Sequence, residues 1–348
     1  MKPKSLAVWG VSLTLIGLIA LATGCTKSPS ALKATTLPPI GATSDPEANP
    51  IPVGSTTGSS YQTVFDQYVY GATTTVEVTE WAAYVYGEHN TVEIAVEPGY
   101  VMVGGGAQTA DPNGNPANVD GMLTACYPVA DGSYTSFVAA NKDHAGYTYF
   151  SDLWVYVIGI KLYGPGGTVI PTSSITPHLY TTYLDSNPAD YPTETVGVTS
   201  PYYSRILSGG AFDNYGSGYG NMLTEADWGA YSTTASGKDQ HKADVCDIYG
   251  FVIAIDNNPI SGFGTLSVQT VSNTINVVNH LQSVSQSIPG GWAVTGVGAK
   301  ATWTGYGRLL YNMYAPSASQ VVAASKDVQT SDVSGTVEVM ASCVQPNQ

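Results

Sequence analysis

From Tyr61 onward the chain alternates apolar and polar residues with a period of two. Val76 and Val78 alternate with Thr75, Glu77 and Thr79; Val92, Ile94 and Val96 alternate with Glu93, Ala95 and Glu97; Leu266 and Val268 alternate with Ser267 and Gln269. This spacing turns one face of a strand toward a core and the other toward water. No stretch of useful length carries the stripe of an amphipathic helix, and 38 glycines and 21 prolines break the chain every few residues. The expected fold is all-β. The pattern before Tyr61 is different. Thr26 to Ser60 is rich in Ser, Thr, Pro, Gly and Ala without an apolar period, so it buries too little surface to offset its ordering entropy and is expected to be a tether. Before it, Leu6 to Leu21 is an uncharged, mostly apolar run that follows the basic start Met1-Lys2-Pro3-Lys4. That layout is a signal peptide's, and the run falls short of the roughly 20 residues a membrane-spanning helix requires.

Within the alternating region a set of four features recurs in the same order three times. A strand ends in Gly-Gly-Ala or Gly-x-Ala at Ala107, Ala211 and Ala299. A second strand follows a Gly-rich loop at Gly121-Met122-Leu123-Thr124, Asn221-Met222-Leu223-Thr224 and Arg308-Leu309-Leu310-Tyr311. Next come the pairs Lys142-Asp143, Lys238-Asp239 and Lys326-Asp327. The closing strand is Trp154 to Ile160, Tyr249 to Ile255, or Thr336 to Ala341. Lysine is scarce in this chain, so its recurrence inside one dipeptide points to triplication. The expected organisation is a signal peptide (1–24), a lipidated cysteine and tether (25–60), three β-rich repeats (61–163, 164–260 and 261–343) and a short tail (344–348). The repeats are read as β-sandwich or β-prism-like, either as separate bodies or as one pseudo-threefold body.

Two resemblances follow from these residues. Leu21-Ala22-Thr23-Gly24-Cys25 resembles the lipobox of bacterial lipoproteins. It implies that diacylglycerol is attached to Cys25, that signal peptidase II cuts before it, and that the chain partners a lipid bilayer through acylated Cys25. Thr26 after the cysteine resembles an outer-membrane-destined lipoprotein, which implies a cell-envelope or cell-surface location. The block Gly104-Gly105-Gly106-Ala107, Leu123-Thr124, Lys142-Asp143-His144 and Tyr156-Val157-Ile158-Gly159-Ile160 resembles a β-module of secreted and surface-attached bacterial proteins, including β-prism-like domains appended to pore-forming proteins. The third repeat departs most, with Val328 in the histidine's place. The resemblance implies an extracellular, non-catalytic module that binds a glycan or a lipid surface.

Charge narrows the partners. The formal net charge is −14 with 12 Lys and Arg, so the folded part repels phosphate backbones and nucleic acid is not an expected partner. The expected ligand is a glycan or a cell-surface protein.

Each candidate contact residue also has an ordinary structural role open to it. The Lys-Asp pairs read as hydrogen-bonded strand turns, or as a polar contact set offered three times. Among 24 tyrosines, Tyr215, Tyr219 and Tyr306 occupy loops, and Trp228 and Trp303 follow glycine strands; their rings are of the kind that stack on sugars. Asp111, Asn113, Asn115 and Asp120 place oxygen ligands at alternating positions as calcium prefers, although Pro116 and Met122 break the EF-hand pattern and Asx-rich turns are ordinary hairpin chemistry. No other cofactor is indicated. With Cys25 lipidated, Cys126, Cys246 and Cys343 remain, and Cys246 with Cys343 is the candidate disulfide.

Catalytic signals are weak. His89, His144, His178, His241 and His280 form no metalloprotease string, and Glu225 with Asp227 is the carboxylate pair considered for glycoside chemistry. The expectation is a non-enzymatic binding or adhesion protein. A structural envelope protein is the alternative, and a glycoside-active enzyme the third reading.

Overall fold

A computed structural model describes residues 61–111, 121–143, 150–197, 204–214, 221–239, 245–328 and 334–347. Cys25, the leader and the tether lie outside the described residues, as do Asn113, Asn115, Asp120, Tyr215 and Tyr219.

The first segment holds β1 (Gln62–Tyr70), β2 (Thr75–Gly87), β3 (Asn90–Ala95), β4 (Val101–Ala110), β5 (Gly121–Pro128), β6 (Ser136–Asp143) and β7 (Ser151–Tyr163). The second holds β8 (Leu179–Asp185), β9 (Thr193–Gly197), β10 (Arg205–Asn214), β11 (Asn221–Trp228), β12 (Ser232–Asp239) and β13 (Asp247–Ile255). The third holds β14 (Leu266–Asn276), β15 (Leu281–Ser287), β16 (Ala293–Trp303), β17 (Arg308–Ser317), β18 (Gln320–Asp327) and β19 (Gly335–Pro346). The helix described is the single turn α1 (Thr172–Ile175), flanked by 3-10 turns in the first inter-segment connection. The fold is all-β.

Three antiparallel sheets result, with strand orders β1-β2-β7-β4-β17-β18-β15, β3-β6-β5-β10-β13-β8 and β14-β19-β16-β11-β12-β9. No sheet belongs to one segment. In each segment one half-sheet (β2-β7-β4, β8-β13-β10 or β14-β19-β16) packs face to face on a second half-sheet of the same segment (β5-β6-β3, β11-β12-β9 or β17-β18-β15). Each half-sheet is then continued, strand beside strand, by a half-sheet of a neighbouring segment. Three pairings make these junctions: Ala107 against Met313, Ala211 against Cys126, and Ala299 against Ala226.

The glycines before these alanines explain how the junctions close. A Cβ on Gly106, Gly210 or Gly298 would come closer than 3.0 Å to the carbonyl oxygen of Met313, Cys126 or Ala226, the junction partner in each case. None of the three has a positive φ. They are glycine for room at a close backbone approach. The same strands bulge one turn of the pleat earlier, at Met102/Gly104, Ile206/Ser208 and Val294/Gly296, and here they meet each other. A Cβ on Gly104 or on Gly296 would strike the Ser208 side chain. Thr295 shares its buried hydroxyl proton between the carbonyls of Leu207 and Ser342, each 3.1 Å away, and Ser342 Oγ donates to the Ile206 carbonyl at 2.8 Å. Further along, Met122, Met222 and Leu309 form a fully buried cluster, one side chain from each segment.

Two expectations are corrected. Val344 to Pro346 are not part of a tail, because they continue β19 and pair with Val268 to Leu266. Cys246 and Cys343 form no disulfide. Cys343 lies at the level where β19 pairs with Val294, matching Ala254 of β13 opposite Ile206, whereas Cys246 precedes β13 and bridges Ala189. At roughly 3.3 Å per residue along a strand the two thiols sit at opposite ends of different sheets, beyond the reach of a disulfide. Burial pushes the Cys343 thiol up to about 12.

The close approach at the junctions predicts a mutational contrast. Gly106→Ala is expected to destabilise the protein by about 1–3 kcal/mol through overpacking. Gly197→Ala, whose added methyl would meet nothing within 4 Å, is expected to be near neutral. Chemical denaturation of both variants checks this, and equal effects would contradict the account.

Candidate ligand-binding surface

Each half-sheet has an inner face inside its sandwich and an outer face. Gly250 on β13 faces Val196 and Ala235, and Gly159 on β7 faces Trp81, Val96 and Tyr100, so Tyr249, Phe251, Trp154 and Tyr156 beside them point outward by strand alternation. The outer face of the first sheet carries three stacked ring pairs. Tyr86 and Phe150 lie 5.5 Å apart between centroids, Tyr84 and Trp154 4.6 Å, and Tyr156 and Tyr314 5.1 Å. The row begins in solvent, with Tyr86 54% and Phe150 47% exposed, and ends at buried Tyr156. Tyr156 donates its hydroxyl to Gln108 Oε1 at 2.8 Å, and Gln108 also bonds the Tyr314 hydroxyl. This amide locks the two rings in one orientation. At the exposed end, Asp152 pairs across the strands with Tyr86 and with Ala110, next to buried Asp111. Burial raises the Asp152 pKa, and the Asp111 charge raises it further.

Beneath this face lies Glu80, fully buried, with neither carboxylate oxygen hydrogen-bonded. Burial holds its pKa well above the carboxylate range. On the inner face, Glu77 has the opposite fate. Burial raises its pKa, but this is outweighed by hydrogen bonds donated by the hydroxyls of Tyr163, Tyr100 and Tyr68 and by the charge of Lys161, so that the net shift is downward.

The other two sheets treat the same positions differently. On the second, Tyr127, Phe212, Tyr249, Phe251 and Tyr183 form a continuous ring cluster, with centroids 4.6 to 6.2 Å apart. On the third, the positions of Phe212, Tyr249, Tyr127 and Ala125 are taken by Lys300, Glu338, Asp227 and Glu225. Lys300 Nζ lies 2.5 Å from Glu225 and 3.8 Å from Asp227, and Ser236 donates to Glu225 at 2.9 Å. Burial, then the Glu225 charge, pushes Asp227 from 3.8 up to about 7, with Lys300 pulling the other way. Glu225 and Asp227 hydrogen-bond each other. They therefore do not stand apart as a pair flanking a glycosidic bond must, at about 5 Å or more.

Several residues singled out by sequence sit elsewhere. Trp228 is no stacking platform. It is 3% exposed, packed with Met340 and Val252, and its indole N–H has no hydrogen-bond partner; it fills space that Gly209 leaves open. Trp303 is half-buried at the end of β16, while Tyr306 is 59% exposed in the turn beyond it. Of the calcium set, only Asp111 is among the described residues.

The Lys-Asp pairs all close the strands β6, β12 and β18, in matching register opposite Gly121, Asn221 and Arg308. Asp143, Asp239 and Asp327 are buried, as are Lys238 and Lys326. They are thus strand-end anchors with little surface to offer a glycan. Lys238 Nζ bonds the Asp239 carboxylate at 3.2 Å and lies 5.2 Å from the centre of the Tyr191 ring. Asp327 is held by the fully buried guanidinium of Arg308. Asp143 accepts from His89 at 2.8 Å.

The charged face of the third sheet makes stability depend on pH. Asp227 keeps its proton in the folded state up to about pH 7, whereas unfolded aspartate loses it near about 3.9. The unfolded state therefore binds fewer protons between these values, and stability falls as pH rises through that window and stays lowered above it. Asp227→Asn is expected to flatten the fall, raising Tm over the parent protein more at pH 8 than at pH 4. An unchanged pH profile would contradict the assignment. In comparisons with known proteins, no family model matches this chain and no curated protein matches it.

Proposed function

We propose that the chain is a lipoprotein of the bacterial cell envelope, anchored through acylated Cys25, whose β-body binds glycans without catalysing their reaction. One observation carries this reading: the row of stacked rings on the outer face of the first sheet, exposed at Tyr86 and Phe150 and continued by Tyr84 and Trp154. Flat aromatic faces offer apolar area to the C–H faces of sugar rings at low entropy cost. The carboxylate of Asp152 at the end of the row is an acceptor for sugar hydroxyls. Support for a rigid, pre-formed surface comes from the strand scaffold and the Gln108 amide that ties Tyr156 to Tyr314. A net charge of −14 disfavours nucleic acid and strongly acidic polysaccharides and favours neutral or basic sugars. The reading includes three copies of one six-strand unit. Matched bulges and junction registers support it, as do the three Lys-Asp strand ends.

A second reading, a structural envelope protein that contacts partner subunits, is favoured by the sheet edges. Among the described residues β14, an 11-residue edge strand, pairs with β19 alone, and much of its length is exposed. Such an edge is a template for strand addition.

A broad glycan array probed with the purified chain, with and without calcium, tests the first reading. Saturable binding that falls at least tenfold in Trp154→Ala and Tyr84→Ala, and persists in Trp303→Ala, is the expected result. Calcium dependence would assign the Asp111 end of the row to ion binding. No binding in either condition would overturn the glycan reading, and binding unaffected by Trp154→Ala would move it off this face.

A further inference from the structure

We infer that Glu88, His89 and Asp143 form a binding site for a divalent transition-metal cation of the zinc class, with one imidazole and two carboxylate ligands. The three side chains come from two places far apart in sequence: the β2–β3 turn, and the end of β6, which lies beside β3 in the second sheet. They offer one ligand atom each, all within 4.8 Å of one another. Modest side-chain rotation would bring these atoms to the ~2.0–2.2 Å metal–nitrogen and metal–oxygen distances of zinc. His89 Nε2 already points at Asp143 Oδ1 at 2.8 Å, so an ion would replace a proton between two groups that are in line.

The charge balance of the three corresponding corners makes the first one distinct. Asp143, Asp239 and Asp327 occupy the same register at the ends of β6, β12 and β18. A buried carboxylate requires a compensating charge or donors. The second corner supplies it permanently with Lys238, and the third with Arg308 from the position facing Asp327. At the first corner the facing residue is Gly121, Lys142 precedes Asp143 as Lys238 precedes Asp239 and is engaged in an interaction of its own, and Asp143 meets the imidazole of His89 instead of an arginine. Glu88 adds a second carboxylate to the same spot. With His89 neutral, the three groups sum to a charge of minus two. A divalent cation bound by these three ligands would balance that charge. The donor set mixes imidazole nitrogen with carboxylate oxygen, which suits zinc better than calcium or magnesium, whose sites are built from oxygen alone. Backbone geometry holds the ligands in place. Asn90 N donates to Asn141 Oδ1 at 3.1 Å, and the Asn90 amide donates to the carbonyls of Gly87 and Ser151 at 3.1 Å each, fixing the turn that carries Glu88 and His89. The side chain of His89 is about one-fifth exposed, so an ion can enter and water can complete its shell.

The site is independent of glycan binding, and its test reads metal directly. The purified full chain is stripped with chelator, titrated calorimetrically with zinc chloride, then dialysed and analysed for metal content. One zinc per chain is expected, with affinity reduced at least tenfold in His89→Gln and in Glu88→Gln, and retained in His178→Gln, which alters another His–Asp pair, His178 with Asp256. Circular dichroism confirms that each variant is folded. Glu88→Gln serves as the second test because it leaves the buried Asp143 untouched. No stoichiometric zinc in the parent chain, or zinc retained at full affinity in both His89→Gln and Glu88→Gln, would overturn the assignment.

Discussion

Everything in this architecture depends on how closely two backbones approach at the junctions between segments. Gly106, Gly210 and Gly298 let β4, β10 and β16 lie against the carbonyls of Met313, Cys126 and Ala226, and through these three contacts each sandwich passes its sheet to the next. A side chain there would push the neighbouring half-sheet away and interrupt hydrogen bonding along the sheet. Because β4 pairs with β17, the last segment returns to the first and the series closes on itself. The interior is then sealed by small and polar groups that need few atoms. Gly104, Ser208 and Gly296 meet at the bulges, and the hydroxyls of Thr295 and Ser342 donate to the carbonyls of Leu207, Ser342 and Ile206 beside them.

Closure has a functional consequence. Core residues of the sandwiches are constrained on every side, so the outer faces and the strand ends are where the three segments are free to differ. The outer face is a ring stack with an amide on the first sheet, a five-ring cluster on the second, and a lysine among three acids on the third. The strand-end aspartates diverge in the same way, served by a histidine, a lysine and an arginine. One scaffold thus presents three chemically distinct surfaces and three distinct corners. The proposed glycan row and the proposed metal corner both fall where the first segment departs from the other two.

Much of the strand content could be read from the sequence, because a half-sheet buried on one side of a sandwich imposes a period of two. Val92 and Ile94 show it cleanly: both are buried while Glu93 and Ala95 are exposed. The glycines before Ala107, Ala211 and Ala299 were also legible as structural, because glycine precedes the alanine three times, although the strands run on past these alanines to Ala110, Asn214 and Trp303. What could not be read was the partner of each strand. Ala107 and Met313 are over two hundred residues apart, and nothing local encodes that contact. The aromatic row is harder to see because its rings lie on strands and not in loops: Tyr84 with Tyr86 and Trp154 with Tyr156 repeat at i and i+2 on two adjacent strands, a signal that both faces of the sheet carry large side chains. Trp228 misled because a tryptophan after a glycine strand looks exposed, yet Gly209 opens the space that buries it. His89 and Asp143 are 54 residues apart and meet only because β3 pairs with β6, so no ligand spacing announced them.

The closed ring of segments is the central claim, and the β4–β17 junction is its most distant link. Gln108 and Asn312 are direct partners across it. Introducing cysteines at both positions and oxidising mildly should yield a cross-link joining the peptides that contain residues 108 and 312, identified by mass spectrometry after proteolysis. Formation of that bridge in the folded protein at low concentration, and its loss when the chain is oxidised unfolded, is the predicted result. Failure to form it, with both cysteines reactive toward a thiol reagent, would show that the first and last segments do not share a sheet.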